Sequence, residues 1–293
     1  MTGVGFSKND VVEGYRVLSE LGQGAASRIY LVQHEKTKQI RAMKQVCRDT
    51  EKDQRFLDQA EQEYQVASKL DHPRLRKIHK MIKRKVKLVQ VRELLLVMEL
   101  VDGMSLDVKP PKTFEEAIEV FAQVSDGMHH MHERGFVHAD MKPNNIIVND
   151  QNEAKVIDLG QSCAIGTIKK RIQGTPDYIA PEQVHRREIT PKTDVYNLGA
   201  SMYWVLTRRH VPSALGSEES LLGRIDDAMI EKATPAAELN PRIPTKLNDL
   251  IMACVDINPD KRPLDMKRLG DTLRLVHGVL VSQQSSRRGT DVA

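Results

Sequence analysis

The stretch His138-Ala139-Asp140-Met141-Lys142-Pro143-Asn144-Asn145, followed by Asp158-Leu159-Gly160, constrains the fold of this chain more than any other feature. Ile146-Ile147-Val148 reads as a short strand, so an Asp, a Lys, an Asn and a second Asp stand on two short loops separated by it. From residue 11 to about 46 the chain reads as strands: Tyr15-Arg16-Val17-Leu18, Ser27 to Gln33, and Ile40 to Val46. Gly-containing and charged turns separate them. Leu57, Ala60, Tyr64, Ala67 and Leu70 then recur at helical spacing until Asp71-His72-Pro73 stops the pattern. Two further strands are expected near residues 77–82 and 86–100. Asp102-Gly103 breaks that pattern, and a boundary between two lobes is placed there. Thr113-x-x-Glu116 is a capping box that opens a long amphipathic helix, with Phe114, Ile118, Phe121, Val124, Met128 and Met131 on one face. Gly135 ends that helix and delivers Phe136-Val137 into the first polar loop. Beyond Pro181 the chain reads as mostly helical, and residues 278–293 read as a polar, frayed tail.

Composition excludes several classes. At 293 residues the chain is at the size where one core divides into two. Its 40% hydrophobic and 29% charged residues suit an ordinary globular protein. The apolar run Leu94 to Met98 is far short of the roughly 20 residues a membrane helix needs. No charged-then-apolar leader is visible at the N-terminus. Cys47, Cys163 and Cys254 have no metal-type spacing and cannot all pair, which suits a reducing cytoplasm. Lys and Arg cluster from Arg74 to Arg92, around Lys83-Arg84-Lys85. A solvated strand pair is the reading of that cluster, with a docking site for acidic partners as the alternative. No aromatic residues interleave it, which argues against nucleic acid.

The two polar loops carry a specific chemical set. Phosphoryl transfer from a metal-bound nucleotide needs a carboxylate to orient a hydroxyl, an Asp and an Asn to hold metal ions, and a positive charge beside the transferring group. The His-x-Asp-x-Lys-x-x-Asn spacing resembles the catalytic loop of protein Ser/Thr kinases, and Asp158-Leu159-Gly160 resembles their metal-binding triplet. The resemblance implies that Asp140 orients the substrate hydroxyl, Lys142 neutralises the γ-phosphoryl, and Asn145 and Asp158 bind Mg²⁺, with Mn²⁺ as a substitute.

Upstream, Leu21-Gly22-Gln23-Gly24-Ala25-Ala26-Ser27-Arg28-Ile29 lies between two expected strands. Gly22 and Gly24 would let backbone amides approach phosphate oxygens. A strand after this turn, rather than a helix, argues against a dinucleotide fold. The turn also lacks the Gly-Lys-Ser/Thr ending of a P-loop. Arg41-Ala42-Met43-Lys44 resembles the third kinase strand, where Ala42 would roof the adenine and Lys44 would hold the α/β-phosphates of ATP. The resemblance places the carboxylate partner of Lys44 about nine residues ahead of the His-Pro after the helix, which implies Glu63, nine ahead of His72, with Glu61 as its rival. Val97-Met98-Glu99-Leu100-Val101 resembles the hinge: Met98 behind the pocket, the backbones of Glu99 and Val101 on the adenine edge. Ile147 completes the ATP-binding set.

Lys142 and the run Gly174-Thr175-Pro176-Asp177-Tyr178-Ile179-Ala180-Pro181-Glu182 resemble the Ser/Thr rather than the Tyr branch, with Thr175 bonding towards Asp140 and Lys142. The resemblance also pairs Glu182 with Arg262 and makes Asp194 a tether of the catalytic-loop backbone. Ala139 replaces the usual Arg, and Leu159 the usual Phe. Loss of that Arg weakens ordering by a phosphate on the segment between Gly160 and Gly174, where Lys169, Lys170 and Arg171 already supply positive charge.

The implied fold is α+β and two-lobed. A β-rich lobe of five strands and one helix spans about 11–101, and a larger helical lobe spans 102–277. The implied reaction is transfer of the γ-phosphoryl of ATP to Ser or Thr of protein substrates, self-phosphorylation between two copies included. The style is that of eukaryotic-like bacterial kinases. The alternative from another class is a pseudokinase scaffold that binds nucleotide or partners without catalysis.

Overall fold

Alternating apolar residues near the N-terminus build an antiparallel sheet in the computed structural model, which describes residues 5–24, 26–86, 90–215, 227 and 230–290. Its strands are β1 (Val11–Val12), β2 (Tyr15–Gln23), β3 (Ser27–His34), β4 (Ile40–Cys47), β5 (Ile78–Val86) and β6 (Gln90–Met98). Their order is β1-β2-β3-β4-β6-β5. The sheet therefore has six strands, where five were expected. The extra one, β1, pairs Val11 with Arg16 and Val12 with Tyr15. Glu13 and Gly14 between them have φ of 53° and 83°. Two consecutive left-handed residues make the two-residue hairpin turn whose twist matches its strands. The inward face collects Val12, Val17, Tyr30, Val32, Met43, Leu95 and Val97 into one core.

Helix α1 (Gln54–Ala67) follows β4 and packs on β4, β5 and β6. Its buried face is Leu57, Ala60, Glu63, Val66 and Ala67. The expected stripe through Tyr64 and Leu70 is corrected: Tyr64 is only half-buried, and Leu70 lies beyond the helix end. Glu63 takes the inward position because it has a cation to meet there. The basic cluster on β5 is solvated and paired, Lys83 with Glu61 at 2.6 Å and Arg84 with Glu93 at 2.7 Å. The expected strand start at residue 86 belongs to β5. Strand β6 begins at Gln90, and residues 87–89 lie outside the described residues.

The chain divides into two compact units. One comprises the chain up to Asp71, Arg76–Val101 and Asp158–Gly160; the other comprises His72–Leu75, Asp102–Ile157 and the chain from Gln161 onward. The second unit holds β7 (Met104–Ser105), α2 (Phe114–Glu133), β8 (Phe136–Val137), β9 (Ile146–Val148), β10 (Ala154–Val156), β11 (Cys163–Ala164), β12 (Thr167–Ile168), α3 (Pro181–Val184) and β13 (Glu188–Ile189). It continues with α4 (Pro191–Thr207), α5 (Ala236–Leu239), α6 (Thr245–Cys254) and α7 (Met266–Thr290). Strands β10, β9 and β7 form one small sheet; β11 pairs with β8, and β12 with β13.

Thr113 caps α2 by accepting from the Glu116 N–H at 3.1 Å. The return bond of the capping box goes one residue further out, from the Lys112 N–H to the Glu116 carboxylate at 2.8 Å. Gly135, at φ 81°, ends the helix in the left-handed turn that glycine adopts at least cost. Against α2 packs α7, which buries Met266, Leu269, Leu273 and Val276. The tail expected from residue 278 is corrected to helix as far as Thr290. Once the first turns are fixed by packing, each added residue costs little. Residues 291–293 lie outside the described residues. Among the described residues no helix is long and apolar enough to cross a membrane, and all three cysteines are free.

The buried ion pair expected in this unit is made. Arg262 donates from Nη1 and Nη2 to the two Glu182 oxygens at 2.8 and 3.0 Å. Its remaining N–H groups reach the carbonyls of Asp256, Ile257 and Lys192 at 2.8, 3.1 and 2.9 Å. The Tyr196 ring lies 4.9 Å from its guanidinium carbon. Removing the cation strands a buried carboxylate, so Arg262→Ala should cost about 3–5 kcal/mol, lowering Tm by on the order of 10 °C in a thermal melt. Arg262→Lys, with three donors for five acceptors, should recover only part of that.

Candidate active site

The catalytic-loop residues are positioned by a buried carboxylate from α4. Asp194 accepts from the backbone N–H of His138 at 2.8 Å and of Ala139 at 2.8 Å. His132 of α2 stands 2.8 Å from the same carboxylate and donates from Nε2. These bonds hold Ala139 at φ 62°, in the left-handed region that costs a non-glycine residue about 1–2 kcal/mol. Gln183 fixes the other side of the same residue, its Nε2 donating to the Ala139 carbonyl at 2.8 Å. The Asp140 N–H then donates to His138 Nδ1 at 3.2 Å.

Three expected residues meet in one cluster. Thr175 donates to Asp140 Oδ1 twice, from its N–H at 2.9 Å and its hydroxyl at 2.8 Å. Lys142 Nζ donates to the Thr175 hydroxyl at 2.7 Å and lies 3.2 Å from Asp140 Oδ2. Asn145 joins this loop by donating its amide N–H to the Asp140 carbonyl at 2.9 Å, which fixes the plane of the amide. Ile147 sits in β9, paired with Lys155 of β10 and Ser105 of β7.

The first unit brings together a second set. Lys44 of β4 donates to Glu63 at 2.7 Å, and the carboxylate is almost wholly buried. Asp158 Oδ1 lies 4.0 Å from the same ammonium. Burial alone would lower the Lys44 pKa, but Glu63 and then Asp158 outweigh it, so the pKa lies above that of an ordinary lysine. Glu61, the rival partner, is engaged with Lys83 instead. Asp158 has φ 64°, and its carboxylate accepts from the Gly160 N–H at 3.1 Å. Leu159 is buried.

Among the glycine-loop residues, Leu21, Gly22 and Gln23 end β2, and Gly22 and Gln23 pair with Ile29 and Arg28 of β3. The Gly24 N–H closes the turn on the Ser27 carbonyl at 2.7 Å. Ala26 accepts from the Cys47 N–H at 3.4 Å, and Ala25 lies outside the described residues. Ala42 faces Met98 across β4 and β6, and both are buried. Glu99 donates its N–H to the Lys77 carbonyl at 2.9 Å; Val101 is half-buried at the end of this unit.

Several residues here have no signal in the sequence. Arg76 approaches the second oxygen of Glu63 at 3.5 Å. Gln183 also accepts from the Ala180 N–H and the Asn197 amide, both at 3.0 Å. His132, Gln183 and Arg76 sit in polar stretches where an inward side chain looks like any exposed one.

Comparison with known proteins agrees with this geometry. A model of the protein kinase domain family matches residues 15–270. The chain is 28% identical over 257 residues to the serine/threonine-protein kinase PrkC of Bacillus subtilis, covering 85% of this chain and 38% of that protein. It is 28% identical over 258 residues to PknB of Mycobacterium tuberculosis, covering 85% of this chain and 40% of that protein. The figures are 28%, 85% and 54% for CBL-interacting protein kinase 8 of rice, Oryza sativa subsp. japonica, over 253 residues. The chain thus spans about two fifths to a little over half the length of these relatives. A family match over most of the sequence, on a sheet-and-helix fold of this order, settles membership: this chain belongs to the protein kinase domain family.

Proposed function

We propose that this chain transfers the γ-phosphoryl of Mg-ATP to Ser and Thr hydroxyls of protein substrates, its own included. The observation that carries this reading is the Asp140–Thr175–Lys142 cluster. A carboxylate has about four lone-pair sites. Asp140 Oδ1 uses two on Thr175, and Oδ2 faces Lys142 while keeping capacity to accept from a substrate hydroxyl. Asp140 thus orients the attacking oxygen and takes its proton, while Lys142 stands ready for charge on the transferring group. The names of the relatives PrkC and PknB favour Ser and Thr as acceptors.

The oxygen donors suit a hard divalent ion. Asp158 offers a carboxylate, and Asn145 offers an amide oxygen whose own N–H is spent on the Asp140 carbonyl. Among the described residues no cluster of three His, Cys, Asp or Glu could hold a metal alone. That fits an ion which arrives with nucleotide phosphates and keeps several waters. When bound, Mg²⁺ supplies charge neutralisation at the phosphates, and Mn²⁺ is an acceptable substitute. Lys44, held by Glu63, is assigned to the α/β-phosphates. The glycine loop of residues 21–27 with Ile29, and the apolar Ala42, Met98 and Ile147 with the backbones of Glu99 and Val101, are assigned to ATP.

ADP release under Mg-ATP tests this directly. Asp140→Asn should lose about 10²–10⁴-fold in kcat while still binding ATP. Undiminished turnover in that variant would overturn the assignment. Lys44→Met should lower kcat/KM on the order of 10²-fold and Glu63→Gln by at least about tenfold. Glu61→Gln should stay within about twofold of the parent, since its pair with Lys83 is half-exposed.

A further inference from the structure

The segment after Gly160 contains a cation that solvent does not fully hold. Lys169 is half-buried, and its Nζ donates to the Gln161 carbonyl at 2.6 Å. Lys170 and Arg171 beside it are exposed. Burial pushes the Lys169 pKa below that of an ordinary lysine; Cys163, Asp140 and Asp194 oppose it. The short, charge-assisted bond to that carbonyl is what offsets the desolvation of the ammonium.

The backbone of the segment is paired on both sides of this contact. Strand β11 pairs Cys163 with Val137, directly ahead of the catalytic loop. Strand β12 pairs Thr167 with Ile189. The Ile165 N–H reaches the Gly135 carbonyl at 2.9 Å, and the Gly166 N–H reaches that of Ile189 at 2.8 Å. The Ala139 methyl, where the family pattern has an Arg, packs with Val137, Cys163 and Ile189. The segment's hydroxyls are either buried or hydrogen-bonded within the protein. Ser162 is buried, the Thr167 hydroxyl donates to the Ala164 carbonyl at 2.7 Å, and the Thr175 hydroxyl belongs to the Asp140 cluster.

We infer that Lys169 is a positioning residue for the transfer reaction: its ammonium pins Gln161 and so holds residues 161–169 in the closed loop that leads to Thr175 and Asp140, without a phosphate on the segment. The activity half of this inference rests on the kinase reading above; the ordering half does not.

The test uses the full chain, freed of phosphate by a phosphatase and checked by mass spectrometry, as parent, Lys169→Met, Lys169→Arg and Thr167→Ala. Amide hydrogen exchange over residues 161–173 reads the ordering. Initial rates with Mg-ATP and a generic protein substrate read kcat and KM. Lys169→Met should exchange about tenfold faster across residues 162–168 and lose about tenfold in kcat, with KM for ATP within about twofold. Lys169→Arg should restore both to within about threefold, since a guanidinium can donate to the same carbonyl. Thr167→Ala should match the parent. Amides of α2 are the internal control of folding; should the Met variant lose their protection, Lys169→Gln repeats the test. Unchanged exchange in Lys169→Met overturns the inference. So does a phosphate-free parent at least tenfold slower than its phosphorylated form. A parent inactive in both forms sinks the kinase reading instead, and exchange alone then decides on Lys169.

Discussion

The carboxylate of Asp194, wholly buried and accepting two backbone N–H groups of the catalytic loop, is the contact on which the site geometry depends. An ionised carboxylate out of water is expensive, and here two peptide donors and the His132 ring offset that cost. In return the loop is held with Ala139 in a left-handed conformation it would not choose alone. Gln183 closes the arrangement by holding the carbonyl of that residue. Asp140, the next residue, therefore points where α4 and α3 dictate rather than where its own loop would relax.

Two ion pairs illustrate how burial divides structural from chemical roles. Arg262 spends all five donors on Glu182 and three carbonyls, leaving nothing for a ligand. Lys44 makes one bond to Glu63, with Asp158 at 4.0 Å, and its side chain retains 15% exposure. A lysine with unspent donors, held charged by its carboxylate neighbours, is suited to an anionic ligand. The cluster of Asp140, Lys142 and Thr175 shares that property, since Asp140 Oδ2 keeps acceptor capacity.

Much of this was legible in the residues. Spacing from His72 favoured Glu63 over Glu61, and the structure pairs Glu63 with Lys44. Alternation and turn glycines located the main strands, while the edge strand β1 escaped notice because two residues carry no period. The face of α1 was legible at Leu57, Ala60 and Ala67, while Val66 is buried where the stripe placed Tyr64, which is half-buried. His132 and Gln183 were invisible for another reason. Their partners lie 62 and 44 residues away, and nothing local marks a polar side chain as buried. The helical extension to Thr290 follows from packing at Leu269 and Leu273, which composition of the tail itself does not reveal.

Phosphoamino-acid analysis after incubation with γ-labelled ATP, Mg²⁺ and a protein substrate tests the central claim most directly. Label is expected on serine and threonine and is lost on chelating the metal. Label confined to tyrosine, or none above the chelated control, would contradict it.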